Sequence, residues 1–159
     1  MYRIKNRRAI INRKALVREL EEQVSWGGYA PNKRDILLQI LKAALYRGVG
    51  EVRRRFEEEN AKGAAVVHAD SYLVDQLVRT LYDFACTHVY PVANPTTGEQ
   101  LSIVATGGYG RGELSPFSDI DLMFLIPYKS TPHTEQIVEY VLYMLWDLGL
   151  KVGHATRYL

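Results

Sequence analysis

The segment Ser102–Pro127, SIVATGGYGRGELSPFSDIDLMFLIP, decides how the rest of the chain is interpreted. Two apolar runs of β-strand type, residues 102–106 and 120–126, flank a glycine-rich, charged connection. Asp119 and Asp121 lie two residues apart, and alternate side chains of a strand project from the same face. Because neighbouring carboxylates repel each other in apolar surroundings, the pair favours a bound cation.

The connection before this acidic pair carries four glycines, at positions 107, 108, 110 and 112. Such a backbone bends tightly and approaches a ligand closely, and its N–H groups suit phosphate oxygens. Together with the carboxylates, it indicates a metal–nucleotide site. Spacing alone also permits a surface hairpin or a calcium loop. The calcium loop is disfavoured because residues 122–126 are apolar where further oxygen ligands would be needed.

The same residues carry a family resemblance. Gly-Gly, ten residues and then Asp-apolar-Asp-apolar resembles the signature of the nucleotidyltransferase superfamily related to DNA polymerase β. The longer strings GGYGRGELSPFSDIDLMFL and LYMLWDLGLKVGHATR resemble the N-terminal part of the nucleotidyltransferase domain of bacterial protein-PII uridylyltransferase/uridylyl-removing enzymes. These are multifunctional enzymes of nitrogen regulation. The resemblance is strongest over residues 104–157 and looser over the helical residues 36–90.

The resemblance implies a reaction and a metal. UMP is transferred from UTP to a tyrosine hydroxyl of the PII signal-transduction protein, and pyrophosphate leaves. Asp119 and Asp121 are the implied catalytic residues, and they hold Mg²⁺. Neither uracil nor a protein acceptor follows from the residues themselves. An adenylylating or small-molecule-modifying nucleotidyltransferase therefore stays open, as does a nucleotide-binding module without catalysis.

The resemblance also implies how the triphosphate is bound. Gly107 and Gly108 bind it through main-chain N–H groups, Arg111 neutralises its charge, and Ser118 donates to a phosphate oxygen. Each residue has a structural alternative. The glycines can serve turn geometry alone, the arginine can pair with Glu113, and the serine hydroxyl can cap the turn.

Parts of the expected enzyme are missing from the sequence. Superfamily members usually add a third carboxylate from a following strand, and Glu135, Glu139 and Asp147 lie instead on a predicted helix. The family's HD phosphohydrolase domain and its two ACT domains, which sense glutamine, are absent, so glutamine acts only through regions not present here. We therefore expect an N-terminal fragment with weak or no activity of its own.

The pattern predicts an α+β fold, with a helical lead-in followed by a truncated polymerase-β-like core containing a small mixed sheet. We expect a basic flexible arm over residues 1–11, a helical lead-in over 12–90, and a nucleotidyltransferase core over 101–159 that is incomplete at its C-terminus. Gly48 and Gly50 suggest a kink or a close helix crossing. The predicted helices cover 12–24, 31–60, 69–88 and 131–148, with a short one near 109–114, and the predicted strands cover 101–106, 119–126 and 150–157.

The composition of the chain limits the kinds of partner and the cellular compartment that we expect for it. Residues 1–62 carry a net charge of +7 (15 basic, 8 acidic) and residues 63–159 carry −5 (5 basic, 10 acidic). Arg53–Arg55 precede Glu57–Glu59 at helical spacing, which favours solvated helix faces over binding of nucleic acid. No apolar run approaches the roughly 20 residues that a membrane helix needs. The single cysteine, Cys86, excludes an internal disulfide and fits a cytoplasmic protein.

Overall fold

The computed structural model describes residues 2–26 and 33–159, which group into two compact units, 1–80 and 81–159. Within the described residues no helix is both long and apolar enough to span a membrane. The helices and strands, in chain order, are α1 Arg7–Ile10, α2 Arg13–Trp26, α3 Lys33–Glu58, α4 Gly63–Phe84, β1 Ser102–Ala105, α5 Gly107–Gly110, β2 Ile120–Ile126, α6 Pro132–Asp147 and β3 Val152–Tyr158. A π-helical turn, Ala85–Val89, and a 3₁₀ turn, Thr97–Glu99, complete the regular structure.

The first unit is helical. Asn12 caps α2 as predicted, because its side-chain oxygen accepts from the N–H of Ala15 at 3.2 Å. The helix break predicted at residues 26–28 and the helix start predicted at Pro31 fall largely outside the described residues. The apolar stripe of α3 recurs every three or four residues, as an amphipathic helix requires. Its buried members are Leu37, Leu41, Ala44, Gly48 and Val52.

Residues 2–11 contain a short helix and buried side chains where the sequence predicted an irregular arm, whereas the flexibility of this segment stays a prediction. Ile10 and Ile11 are only 2% and 5% exposed, and Ile10 ends the short helix α1. The guanidinium of Arg55 donates to the carbonyl oxygens of Lys5 and Asn6 at 2.7 and 2.8 Å. Ile10 and Ile11 are therefore packed, and the backbone of residues 5 and 6 is hydrogen-bonded to α3.

The arginine cluster of α3 is paired with carboxylates of the same helix, but only Arg53 makes a short contact to the glutamate four residues after it, as the charge pattern predicts for all three arginines. Arg53 contacts Glu57 at 2.8 Å, while Arg54 and Arg55 both contact Glu51 at 2.9 Å. Hydrogen bonds from Arg54, and then from Arg55, lower the pKa of Glu51 to about 2. The positive charge of this stretch is therefore compensated locally, which supports the interpretation as a solvated helix face.

The second unit contains the predicted mixed sheet. β2 lies in the centre, antiparallel to β1 and parallel to β3. A parallel pair needs a long crossover connection, which α6 provides. Thr131 caps this helix and Pro132 opens it, as predicted, and α6 contacts β3. Four alternating residues on one face of β2 are buried in the core of this unit: Ile120, Leu122, Phe124 and Ile126.

The boundaries of two helices differ from the prediction. The helix expected over 69–88 begins six residues earlier, at Gly63, because the strong helix former alanine occupies positions 64 and 65. It ends at Phe84, and the π-helical turn covers the rest of the predicted range. The short helix expected near 109–114 is α5, which begins two residues earlier. Packing of α4 on the sheet, which we also expected, stays a prediction.

Candidate active site

The acidic pair lies at the start of the central strand. Asp119 immediately precedes β2 and is exposed, whereas Asp121 is its second residue and is half-buried. Ile120 and Leu122, which alternate with them, are each 2% exposed. The alternation therefore directs Asp121 away from the apolar core and leaves Asp119 open to solvent. Within the described residues, no lysine or arginine forms an ion pair with either aspartate.

The carboxylate of Asp121 lies between two glycines. A Cβ atom built on Gly107 would be 2.7 Å from Oδ2 of Asp121, and one built on Gly153 would be 2.8 Å from Oδ1. Gly107 has a φ of 60°, in the left-handed region that favours glycine. Sequence reasoning identified Gly107 but missed Gly153, because the pairing of β3 with β2 is a long-range feature without a local signal.

The glycine turn after β1 leaves two main-chain donors at the predicted phosphate site. The N–H of Gly110 donates to Thr106 at 2.8 Å, and that of Arg111 donates to Gly107 at 3.2 Å. In the part of the chain that the structure describes, the N–H groups of Gly107 and Gly108 have no hydrogen-bond acceptor. These two groups are the ones that the resemblance assigns to the triphosphate.

Arg111 and Ser118 show the structural contacts that we considered as alternatives to phosphate binding. Arg111 Nε lies 3.6 Å from Glu113 Oε2, and the two side chains are 68% and 55% exposed. An exposed pair at this distance contributes little free energy, so the arginine remains available to an anion. The hydroxyl of Ser118 donates to the carbonyl of Ser115 and closes a turn in which Phe117 has a φ of 64°. Their phosphate roles stay predictions.

The donor set fits Mg²⁺ better than a metal held entirely by protein. Among residues 2–26 and 33–159, no group of three or more His, Cys, Asp or Glu side chains could hold an ion. The strand beside Asp121, β3, has the sequence VGHATRY and contains no carboxylate. Mg²⁺ is commonly bound by one or two carboxylates, with water and substrate phosphates as its other ligands. Asp119 and Asp121 provide that number of carboxylates.

The sequence of the chain is similar to that of known nucleotidyltransferases. Residues 95–158 match the family model described as a nucleotidyltransferase domain. No solved structure gives a significant match. Three curated relatives, each called a bifunctional uridylyltransferase/uridylyl-removing enzyme, match nearly the whole chain. They come from Rhodospirillum rubrum (58% identical over 98% of this chain and 17% of the relative), Azospirillum brasilense (55%, 97% and 16%) and Novosphingobium aromaticivorans (44%, 98% and 17%).

The chain is thus of α+β class, and its residues 95–158 match a nucleotidyltransferase domain. The chain is closely similar to a segment of the bifunctional uridylyltransferase/uridylyl-removing enzymes, so the resemblance stated from its sequence is confirmed. It spans about one sixth of the length of these relatives.

Proposed function

We propose that this chain is the part of a uridylyltransferase that binds Mg²⁺ and UTP for transfer of UMP to a tyrosine hydroxyl of a PII protein. The observation that carries the proposal is the placement of Asp121. Its carboxylate lies beside Gly107, whose N–H is free to bind a phosphate. A metal ligand and a phosphate-binding backbone are therefore adjacent, as nucleotidyl transfer requires. Pyrophosphate is the leaving group of this reaction. We place the enzyme in the cytoplasm.

Each candidate residue has a distinct role in this proposal. Asp119 and Asp121 hold Mg²⁺, which when bound neutralises phosphate charge and makes the acceptor hydroxyl easier to deprotonate. Gly107 and Gly108 donate main-chain hydrogen bonds to the triphosphate. Arg111 adds a positive charge, and its contact with Glu113 is exposed to solvent. The protein thus contributes mainly positioning and electrostatic stabilisation.

Calorimetry of UTP binding in the presence of Mg²⁺ tests the assignment of the acidic pair. Asp119→Asn and Asp121→Asn should each weaken binding by at least about tenfold, because each removes a charged metal ligand. Both variants should keep the circular dichroism spectrum of the parent, because neither aspartate forms an ion pair within the described residues.

Glu139→Gln is the matched control, since it removes one exposed carboxylate from α6 in the same unit. Its affinity for UTP with Mg²⁺ should equal that of the parent. Unchanged affinity in both aspartate variants would refute the site. Replacing UTP with ATP in the same titration distinguishes uridylyl from adenylyl transfer, because tighter binding of ATP would favour the adenylylating alternative.

A second candidate function is nucleotide binding without turnover. It is favoured by one observation, namely that β3 brings no carboxylate to the site. A two-metal site commonly needs more negative ligands than two aspartates provide. Incubation of the chain with radiolabelled UTP, Mg²⁺ and PII protein separates the two candidates. Label on PII supports transfer, whereas retention of intact UTP on the chain alone supports a binding module.

A further inference from the structure

Gly153 faces the site from the neighbouring strand. β2 and β3 are parallel, and their register pairs Asp121 with Gly153. Paired residues of adjacent strands project from the same face of a sheet, so position 153 is the place on β3 nearest to the Asp121 carboxylate. Val152 and His154 pair with the buried Ile120 and Leu122 and therefore lie on the opposite face.

The space at position 153 is filled by the aspartate. A Cβ atom there would lie 2.8 Å from Oδ1 and 4.0 Å from Cγ of Asp121, and real Cβ atoms essentially never approach another heavy atom within 3.0 Å. The other oxygen of the same carboxylate lies close to the glycine turn. A Cβ built on Gly107 would lie 2.7 Å from Oδ2. The two glycines therefore bracket the two oxygens of one carboxylate.

Glycine is an unfavourable residue for this strand unless the site requires it. A glycine inside a strand loses more conformational freedom on folding than other residues and has no side chain to pack. The other positions of β3 include the strand formers Val152, Thr156 and Tyr158. The φ of Gly153 is not positive, so its backbone conformation does not require glycine. The close approach of Asp121 is the physical reason that remains.

We propose that Gly153 is a positioning residue of the nucleotide site, which sets the orientation of the Asp121 carboxylate by leaving the space beside Oδ1. Its effect on binding of Mg²⁺ and UTP rests on the proposed function. Any larger residue at 153 would displace the carboxylate, because the end of a short side chain moves more easily than two strands. The sheet then stays intact while the metal ligand is misplaced.

Gly153→Ala tests the proposal, with Ala155→Gly as its matched control. Residue 155 lies on the same strand and the same face but pairs with Met123, two residues beyond Asp121. Gly153→Ala should weaken binding of UTP with Mg²⁺ by roughly ten- to a hundredfold, as is usual when the support of a metal ligand is disturbed. Ala155→Gly should leave the affinity unchanged, although it lowers the melting temperature.

Thermal unfolding without metal or nucleotide supplies a readout that does not depend on the proposed function. Four proteins are compared: the parent, Gly153→Ala, Asp121→Ala and the double variant. Once the carboxylate is removed, alanine at 153 has nothing to displace. The change in melting temperature that Gly153→Ala causes should therefore be more positive, by several degrees, in the Asp121→Ala background than in the parent. If Gly153→Ala alone does not fold, the double variant should restore folding.

The possible results test the positioning role of Gly153 separately from the proposed function. Additive melting temperatures, or failure of the double variant to fold, would overturn the positioning role. Coupled melting temperatures with unchanged nucleotide affinity in Gly153→Ala would also overturn it. If the parent chain does not bind UTP with Mg²⁺, the proposed function fails, and the coupling of the melting temperatures alone decides whether Gly153 orients Asp121.

Discussion

Asp70, in α4, is a half-buried carboxyl group far in sequence from the candidate site. Burial raises the pKa of Asp70 from its ordinary 3.8 to about 6. Between these two values the folded chain binds more protons than the unfolded chain. The free energy of unfolding therefore falls as the pH rises from about 4 to about 6, and the cost of the buried charge is fully present above that window.

Asp70→Asn should remove this cost, because an amide carries no charge at any pH in the window. We expect a gain of about 1 kcal/mol at pH 7.5 after allowance for solvent screening, or roughly 2–4 °C in melting temperature. The gain should disappear at pH 4. Asp75→Asn is the control, since Asp75 lies on the same helix in an exposed pair with Arg79 at 3.0 Å. An equal gain from Asp70→Asn at both pH values would contradict the assignment.

At the scale of elements, α3 contains two glycines in different surroundings. A Cβ built on Gly48 would lie 2.4 Å from Cδ1 of Leu73, on α4, whereas a Cβ built on Gly50 would meet nothing within 4 Å. Both glycines were expected to mark a kink or a close crossing. The structure places Leu73 beside Gly48, as a close crossing would require, and shows no such contact at Gly50.

The two positions therefore form a matched pair for mutagenesis. Gly50→Ala should raise the free energy of unfolding by about 0.5–1 kcal/mol, because alanine loses less conformational freedom in a helix interior. Gly48→Ala should instead lower it by about 1–3 kcal/mol, since overpacking forces Leu73 or the helices to move. Chemical denaturation measures both. A stabilising Gly48→Ala would show that Leu73 repacks at no cost and that the crossing does not require glycine.

At the scale of the whole molecule, the question is whether 159 residues suffice for turnover. The proposed site contains two carboxylates, Asp119 and Asp121, and the relatives are about six times longer than this chain. Under the proposed function, we expect this chain to bind UTP with Mg²⁺ but to modify PII at least about 10²-fold more slowly than a full-length relative, because one lost electrostatic contact commonly costs that much. Equal rates in a uridylylation assay would show that a further carboxylate is dispensable.

Local sequence patterns were sufficient for the type of most elements. The alternation of Ile120, Leu122, Phe124 and Ile126 specifies a strand with one buried face. Thr131 marks the start of α6. These features were predictable because each depends on residues within one turn or strand, where backbone geometry fixes the spacing of the side chains.

The tertiary structure alone decided the features that join distant residues. The register of β2 and β3 places Gly153 beside Asp121, 32 positions earlier in the chain. Similarly, Arg55 binds the carbonyl oxygens of residues 5 and 6, and the apolar pair at 10 and 11 is buried in a segment whose composition suggested a flexible arm. Register and burial depend on how whole elements pack, and no local pattern specifies them. The sequence by itself thus determined the alternation that turns Asp121 away from the core, and only the packed sheet decided which glycines surround its carboxylate.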